Sequence, residues 1–489
     1  MKKYIYQGFI WCTAFIGLTS CNDYLDVKPD SVFTENNVEN SDREGPKYTT
    51  KQDMDLLRGG IYSGFKGALS NTYNLDLLML SEARSDNAYS GSIEGWALEL
   101  DNFNVTPNNA VTARGWGQYF QMIGQANLII DNVDAIADPA MTAELKTSYK
   151  AEALILRGMM YFDLVRLYGD VPLILQETPD ITAGNIEEVY PLLYPSRENT
   201  GRIYEQIVED LRFGSEHGPL PTAEDKFKLT RALADGLLAK VYATKETKEW
   251  EKVKSYCDKA LSYGYPLVGD YEQLWAPGSR NTSESIFEIT HSADAPNWGW
   301  SMLLGADWRK FCTPSHDLEA AFDSQQDAIR KNAAVWVEAC SWDNFWPADA
   351  YRFANKIRNN LSSIILLRAA DLLLLKAEAC IEAGALTEAA DLIDAIRGRV
   401  RLAPLPEADR KDQASMRQAV ARERRLELAM EGHRWFDLLR TGRAIETMRD
   451  CKDSKGAYSY RHIEEWMLLY PVPQTERDQN PNLTQNTGY

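Results

Sequence analysis

Glu423, Glu427 and Glu431 recur every fourth residue, which on a helix puts three carboxylates on one face. Two carboxylates held a few ångströms apart can act as acid and base on a glycosidic bond. The same stretch carries Arg422, Arg424, Arg425 and Arg434, so the three glutamates read as ion-paired structural groups. The five histidines form no H-E-x-x-H pair, and no G-x-S-x-G elbow or glycine-rich phosphate loop is present. No catalytic residue, metal site or cofactor is therefore assigned, and the sequence offers no machinery for covalent chemistry that would make it an enzyme. Groups suited to recognition are more plentiful. Arg84, Asp86 and Asn87 lie in one short segment, with Trp96 following. Guanidinium, carboxylate and amide groups read sugar hydroxyls, and an aromatic face stacks on a sugar ring. The competing reading is a loop whose Asp86 and Asn87 satisfy their own backbone. Seven of the thirteen tryptophans fall between Trp275 and Trp346. A tryptophan on a loop either fills the core beneath it or offers a platform to flat apolar faces such as pyranose rings. The platform candidates are Trp96, Trp298, Trp300, Trp308, Trp342 and Trp346. Trp336, in an AAVWVEAC run, reads as the buried face of a helix.

These groups need elements to hold them. Residues 151–168 (AEALILRGMMYFDLVRLY) form a helix whose one polar stripe holds Glu152, Asp163 and Arg166. Arg157 falls opposite that stripe and needs a buried partner. Gly169-Asp170-Val171-Pro172 stops the helix. Residues 234–243 and 370–379 share the pattern A-D-x-L-L-x-K-x-x-A, each followed by a turn and a second helix, over 249–263 and 386–397. Such units resemble tetratricopeptide repeats, although the long intervening stretch argues against a clean tandem array. A third pair is expected around 115–168, and a long helix over Asp412–Leu439 with Gly432 interrupting it. Residues 264–350 are punctuated by Pro and Gly and keep no helical period for long. The fold class is mainly α: tetratricopeptide-like helix pairs with a loop-rich half packed against them.

Of the 489 residues, 44% are apolar and 25% charged, which excludes a disordered chain and a polytopic membrane protein. A net charge of −18 makes nucleic acid an unfavourable partner. Lys2 and Lys3 precede an apolar run ending in Leu18-Thr19-Ser20-Cys21. The run is too short for a permanent membrane helix and reads as a secretory signal peptide. Its end resembles the lipobox of bacterial lipoproteins, with Cys21 as the lipid attachment site. Cys257, Cys312, Cys340, Cys380 and Cys451 are widely spaced and odd in number, which favours buried free thiols over disulfides.

Five blocks in order carry a resemblance to the SusD/RagB family, surface lipoproteins of nutrient uptake in Bacteroidetes. The stretch Cys21-Asn22-Asp23-Tyr24-Leu25-Asp26 is similar to the family's opening. Tyr161-Phe162-Asp163-Leu164 with Tyr168-Gly169-Asp170-Val171-Pro172 resembles its most recognisable block. Leu367-Arg368 with Lys376-Ala377-Glu378-Ala379 resembles a third, with Ala370 where the family usually has Glu. Glu423-Arg424-Arg425, Glu427 and Glu431-Gly432-His433-Arg434-Trp435 match a fourth, and Tyr470-Pro471-Val472-Pro473 to Gln485-Asn486 and Gly488-Tyr489 the terminus. The resemblance implies capture of an oligosaccharide and its delivery to a SusC-like TonB-dependent outer-membrane barrel, from a lipid-anchored position facing the cell exterior. The organisation that follows is a signal peptide over 1–20, a lipid tether and spacer over 21–48, helical parts over 49–263 and 351–489, and a Trp-rich ligand segment over 264–350. A surface-anchored all-α glycoside hydrolase and a lid subunit with a peptide ligand are the alternatives.

Overall fold

Thr50 accepts the backbone N–H of Asp53 and Asp53 accepts that of Thr50, a reciprocal cap that opens helix α1 (Lys51–Lys66). The structure is a computed structural model that describes residues 47–179, 184–303, 309–340, 346–451 and 463–489. The expectations for the signal peptide, Cys21, the spacer to residue 46, Trp308 and Trp342 lie outside the described residues. Asn109 caps α2 (Ala110–Asn132) and Thr142 caps α3 (Ala143–Tyr168), the expected third pair. Asn199 and Thr230 cap α4 (Thr200–His217) and α5 (Arg231–Thr244) in the same way. There follow α6 (Trp250–Leu261), α7 (Ala369–Glu382), α8 (Leu386–Arg399), α9 (Gln413–Glu427) and α10 (Arg434–Arg440).

From α2 to α7 each helix packs on the next, and α8 and α9 both close over α7. The two pattern-sharing helices therefore belong to one continuous stack, because α6 lies directly against α7. What separates the repeats in sequence is looped out of the stack and does not break it. Tyr48–Tyr489 form one compact unit. Four two-stranded antiparallel ribbons accompany the helices among the described residues: β1 (Ala88–Tyr89) with β5 (Thr313–Pro314), β2 (Val171–Pro172) with β3 (Arg197–Glu198), β4 (Ser285–Ile289) with β8 (Ile364–Arg368), and β6 (Val335–Glu338) with β7 (Tyr351–Ala354).

Helix α3 is buried on almost every side from Ala151 to Tyr168, so its polar residues need internal partners. Arg157 has them. It grips Asp210 of α4 through two bonds of 2.7 and 2.8 Å, and donates to the Asn127 side chain and the Leu175 carbonyl, both at 3.0 Å. Glu152 accepts from Arg58 at 2.9 Å and from Tyr62. Gly169, at φ 73°, ends the helix where expected.

The helix expected over Asp412–Leu439 is two helices. The break begins after Glu427 and contains Met430 at φ 63° and Gly432 at φ 85°. A Cβ at Gly432 would sit 2.7 Å from Leu77 Cγ, so both the backbone and the space require glycine. Beyond the break, the buried Glu82 carboxylate accepts the N–H groups of Gly432 at 2.8 Å and His433 at 3.1 Å, satisfying the open start of α10.

The three glutamates of the four-residue spacing sit in a buried ion network. Glu423 meets Arg330 at 2.6 Å and Arg397 at 3.0 Å. Glu427 meets Arg330 at 3.2 Å, Arg368 at 2.6 Å and Arg399. Glu431 meets Arg368 at 2.7 Å and Lys356 at 2.5 Å. Glu284, just before β4, joins Arg368 at 2.7 Å and Arg399 at 2.6 Å. The carboxylates are ion-paired as expected, but not by their sequence neighbours. Arg422 pairs with Asp409, Arg424 with Asp371 and Asp437, and Arg425 and Arg434 with Asp86.

Burial alone would raise the Glu427 carboxyl, but Arg399, Arg368 and Arg330 together hold it well below the usual carboxylate range. A carboxyl depressed by folding stabilises above its ordinary value of 4.5 and loses that contribution as pH falls. Glu427→Gln leaves buried arginines short of a counter-charge and should cost about 3–5 kcal/mol at pH 7. The gap between variant and parent should narrow as pH drops below 4.5, because the glutamate of the unfolded chain then takes up a proton that the folded one still refuses. Urea melts of both proteins at neutral and acid pH check this, and an unchanging gap would contradict it.

Candidate ligand face

The segment holding Arg84, Asp86 and Asn87 leaves a short helix, Leu77–Ser81, and runs into β1. It is pinned from two directions. Ser315, just after β5, donates its N–H to the Asn87 carbonyl at 2.9 Å and its hydroxyl to the Asp86 carbonyl at 2.6 Å. Arg425 of α9 donates to the Asn87 side chain at 2.9 Å, and Arg434 of α10 forks onto Asp86 at 2.7 and 2.8 Å. Burial would raise the Asp86 carboxyl; Arg425 and Arg434 hold it well below the usual carboxylate range.

These three residues do not present themselves to a ligand. Arg84 is 0% exposed, with its guanidinium over the rings of Phe103 and Tyr470, each at 4.4 Å, and Trp435 at 5.3 Å. It also donates to the Met467 carbonyl. Asp86 is buried between two arginines, and Asn87 donates to the buried Glu82 at 2.9 Å. The expectation that this trio reads hydroxyls is corrected: its members join the start of the fold to α9, α10 and the C-terminal tail.

The tryptophans divide. Trp346 is buried, donates its indole N–H to the Pro314 carbonyl at 3.1 Å, and stacks on His316 at 3.6 Å. With Tyr89, Cys340, Tyr351 and Phe353 it fills a small core between the β1–β5 and β6–β7 ribbons. A buried Trp346 cannot serve as a platform. Trp96, Trp298 and Trp300 are half-buried, packed by one side against the main core. Trp96 follows the segment 90–95, rests on Phe311 with ring centroids 4.8 Å apart, and donates to Glu94 at 3.0 Å. The Phe311 N–H in turn donates to Met302, in the short helix Gly299–Leu303 that carries Trp300 and follows Trp298. Trp298 is fixed by its neighbour Asn297, which donates its N–H to the Asn360 carbonyl at 2.8 Å and its amide to the Ser362 carbonyl at 3.0 Å. Phe311 thus brings Trp96 into the neighbourhood of Trp298 and Trp300.

Trp336 differs from its expected place. The helix Ala328–Ala334 stops before it, and Val335–Glu338 is a strand, in keeping with the β-branched residues on both sides. Trp336 is 40% exposed and touches Phe353 across the ribbon. Sequence reasoning also passed over Phe311, Ile93, which is 77% exposed, and the exposed Asn360. Ile93 stands alone among small polar residues in Ser-Gly-Ser-Ile-Glu-Gly, a pattern that could have marked it. On the helix stack, a cleft of about 950 Å³ opens between α5–α6 and α7, α9 and α10, with Trp250, Arg417 and Arg443 in its walls. All five cysteines among the described residues are free and buried, as read from their number and spacing.

A trio locked in this way should behave as scaffold. Asp86→Asn removes a counter-charge from two arginines and should lower the melting temperature, by about 3 kcal/mol of stability, without a separate effect on ligand binding by the folded fraction. Calorimetric melting alongside binding separates the two effects; a selective loss of binding would restore Asp86 to the ligand face.

Comparison with known proteins places this architecture. Residues 346–489 match the model of the SusD family, and residues 23–243 match a model described as starch-binding and associating with the outer membrane. SusD-like protein P38 of Formosa agariphila is 25% identical over the full length of both chains. A putative sugar binding protein from Bacteroides vulgatus shares the fold with a TM-score of 0.75 at 22% identity, over 91% of this chain and 100% of its own. A laminarin binding SusD-like protein does so with a TM-score of 0.72 at 22% identity, over 90% of this chain and 100% of its own. The blocks read from the sequence, apart from Cys21 and Asn22, fall within the two matched regions, and the chain belongs to the SusD/RagB family.

Proposed function

We propose that this protein captures an oligosaccharide outside the cell and passes it, uncut, to a SusC-like TonB-dependent outer-membrane barrel. The observation that carries the reading is half-buried Trp96 resting on Phe311, whose N–H bonds the short helix that bears Trp300 and follows Trp298. Rings anchored on one side and open on the other suit stacking on a pyranose face. Trp308 and Trp342 join the proposal as its chain neighbours, and Trp336 and Asn360 as additions from the fold. The laminarin-binding relative in fold supports a glycan as ligand, and the family description supports an outer-membrane setting. The helix stack, with its open cleft, is the side offered to the barrel. Catalysis has no support from Glu423, Glu427 and Glu431, since each is locked among cations. Incubation with oligosaccharides should release no reducing ends.

Stacking plus a few hydrogen bonds gives affinities in the millimolar to micromolar range, about −4 to −8 kcal/mol. Trp298→Ala and Trp96→Ala should each weaken binding about tenfold, ~1.4 kcal/mol, with little change in melting temperature. Trp346→Ala should instead lose about 3–5 kcal/mol of stability. Titration calorimetry on each variant decides, and a loss of stability without selective loss of binding at Trp96 and Trp298 would remove the platform.

Anchoring is proposed to run through Cys21. A single acyl chain holds only marginally, whereas several hold firmly, because each buried CH₂ contributes about 0.8 kcal/mol. Cys21→Ala should abolish lipid labelling and move the protein to the soluble fraction. Continued fractionation with outer membranes would mean that Cys21 is not the anchor or that the barrel contact suffices.

A further inference from the structure

We propose that the cleft on the helix stack is a second sugar-binding site, with Trp250 as its platform; the inference rests on the glycan reading above and adds a place to it. The described tryptophans differ in what covers their rings. Trp116, Trp275, Trp435 and Trp466 each contact another aromatic ring, as do Trp96, Trp336 and Trp346. Trp250, Trp298 and Trp300 have neither an aromatic nor a cationic neighbour over the ring among the described residues, and their indole N–H groups meet no acceptor there. Trp298 and Trp300 belong to the candidate ligand face. Trp250 carries the same mark elsewhere, at the start of α6, half-buried and packed by one side against the core. It stands in the wall of the cleft of about 950 Å³. That volume falls within the roughly 300–1,000 Å³ of small-ligand sites.

The inner wall of the cleft is chemically closed. Arg440 of α10 forks onto Glu378 of α7 with both bonds at 2.8 Å, and Arg424 of α9 is held by Asp371 and Asp437. The rim is open. Gln418 of α9 is exposed, and its amide has no partner among the described residues. The side chains of Glu246 and Lys248, before α6, and of Arg443 and Glu446, after α10, are unpaired there as well. Two cations and two carboxylates give an ionic ligand no net counter-charge. An apolar helix would find one large ring among the small Ala414 and Ala421 and these polar heads. A hydroxylated ring suits both features: its C–H face stacks on an indole open to one side, and its hydroxyls find amide, guanidinium and carboxylate partners. With the stack turned to the barrel, as proposed above, a sugar unit held here lies on the route from capture to import.

The test is fluorine NMR of the full-length protein in detergent, labelled with fluorotryptophan, with the Trp250 resonance assigned through Trp250→Phe. Short oligosaccharides of laminarin, mixed-linkage β-glucan, galactomannan and alginate are the probes, and titration calorimetry on the same samples reports total binding. The expected result is that at least one probe moves the Trp250 resonance saturably. Gln418→Ala should weaken that titration about fivefold with no change in melting temperature, and Trp298→Ala should leave it in place. Probes that bind by calorimetry while none moves Trp250 overturn the inference and leave glycan capture standing. A Trp250 shift indifferent to Gln418→Ala, or lost in Trp298→Ala, overturns it too, since the shift is then relayed from another site. Absence of binding to every probe overturns glycan capture itself, and the second site with it.

Discussion

Arg368 occupies the residue at which strand β8 becomes helix α7, and its guanidinium contacts Glu284, Glu427 and Glu431 at once. Each of those carboxylates comes from a different part of the chain or a different turn of α9 and its break. A buried charge left alone costs several kcal/mol, so this centre forms only when the segment before β4, the β4–β8 ribbon, the end of α8 and the end of α9 arrive together. Arg330 and Arg399 extend the same demand to the helix before β6 and to the α8 terminus. The network is better understood as an assembly condition than as a store of stability, since apolar groups of equal volume would hold such a core about as well. It obliges the irregular half to sit on the helix stack in one way.

A second buried centre performs the corresponding task near β1. Glu82 caps α10, Asp86 draws Arg425 and Arg434 inward, and Arg84 lies in an aromatic cage that includes Tyr470 from the C-terminal tail. Through these contacts, β1 and the segment leading to Trp96 are tied to the same helices that carry the ion network. The half-buried tryptophans are therefore mounted on elements whose positions are set by charge pairing deep in the fold. A rigid mount reduces the ordering that a stacking site must undergo when a ligand arrives.

Much of this was legible from local pattern. The helix pairs followed from apolar spacing, the stop after α3 from Gly169 and Pro172, and the need of Arg157 for a partner from its place on an apolar face. The structural role of the three glutamates was legible as well, but their partners were not. Arg330, Arg368 and Arg399 lie far away in sequence, and charge type alone cannot rank a distant arginine above an adjacent one. The same limit explains Arg84, Asp86 and Asn87, whose side-chain types suit hydroxyl recognition equally well whether solvent or protein surrounds them. Trp336 went astray because a short apolar run fits a buried helix and an exposed ribbon alike. That Trp346 is interior while Trp298 is open depends on which strands meet at Thr313 and Tyr351, a tertiary fact.

The direct packing of α6 on α7 has a consequence for how such a protein can change. The chain leaves the stack at one helix and re-enters at its spatial neighbour, so everything between is a closed excursion from a scaffold already complete. Closing an excursion costs conformational entropy that grows only logarithmically, about 0.6 kcal/mol for each doubling of its length. Insertions and rewritten loops within it are therefore cheap as long as Glu284, Arg330 and Arg368 keep their places. One frame can thereby carry different loop surfaces, provided the few charged residues that return the excursion to the stack are kept.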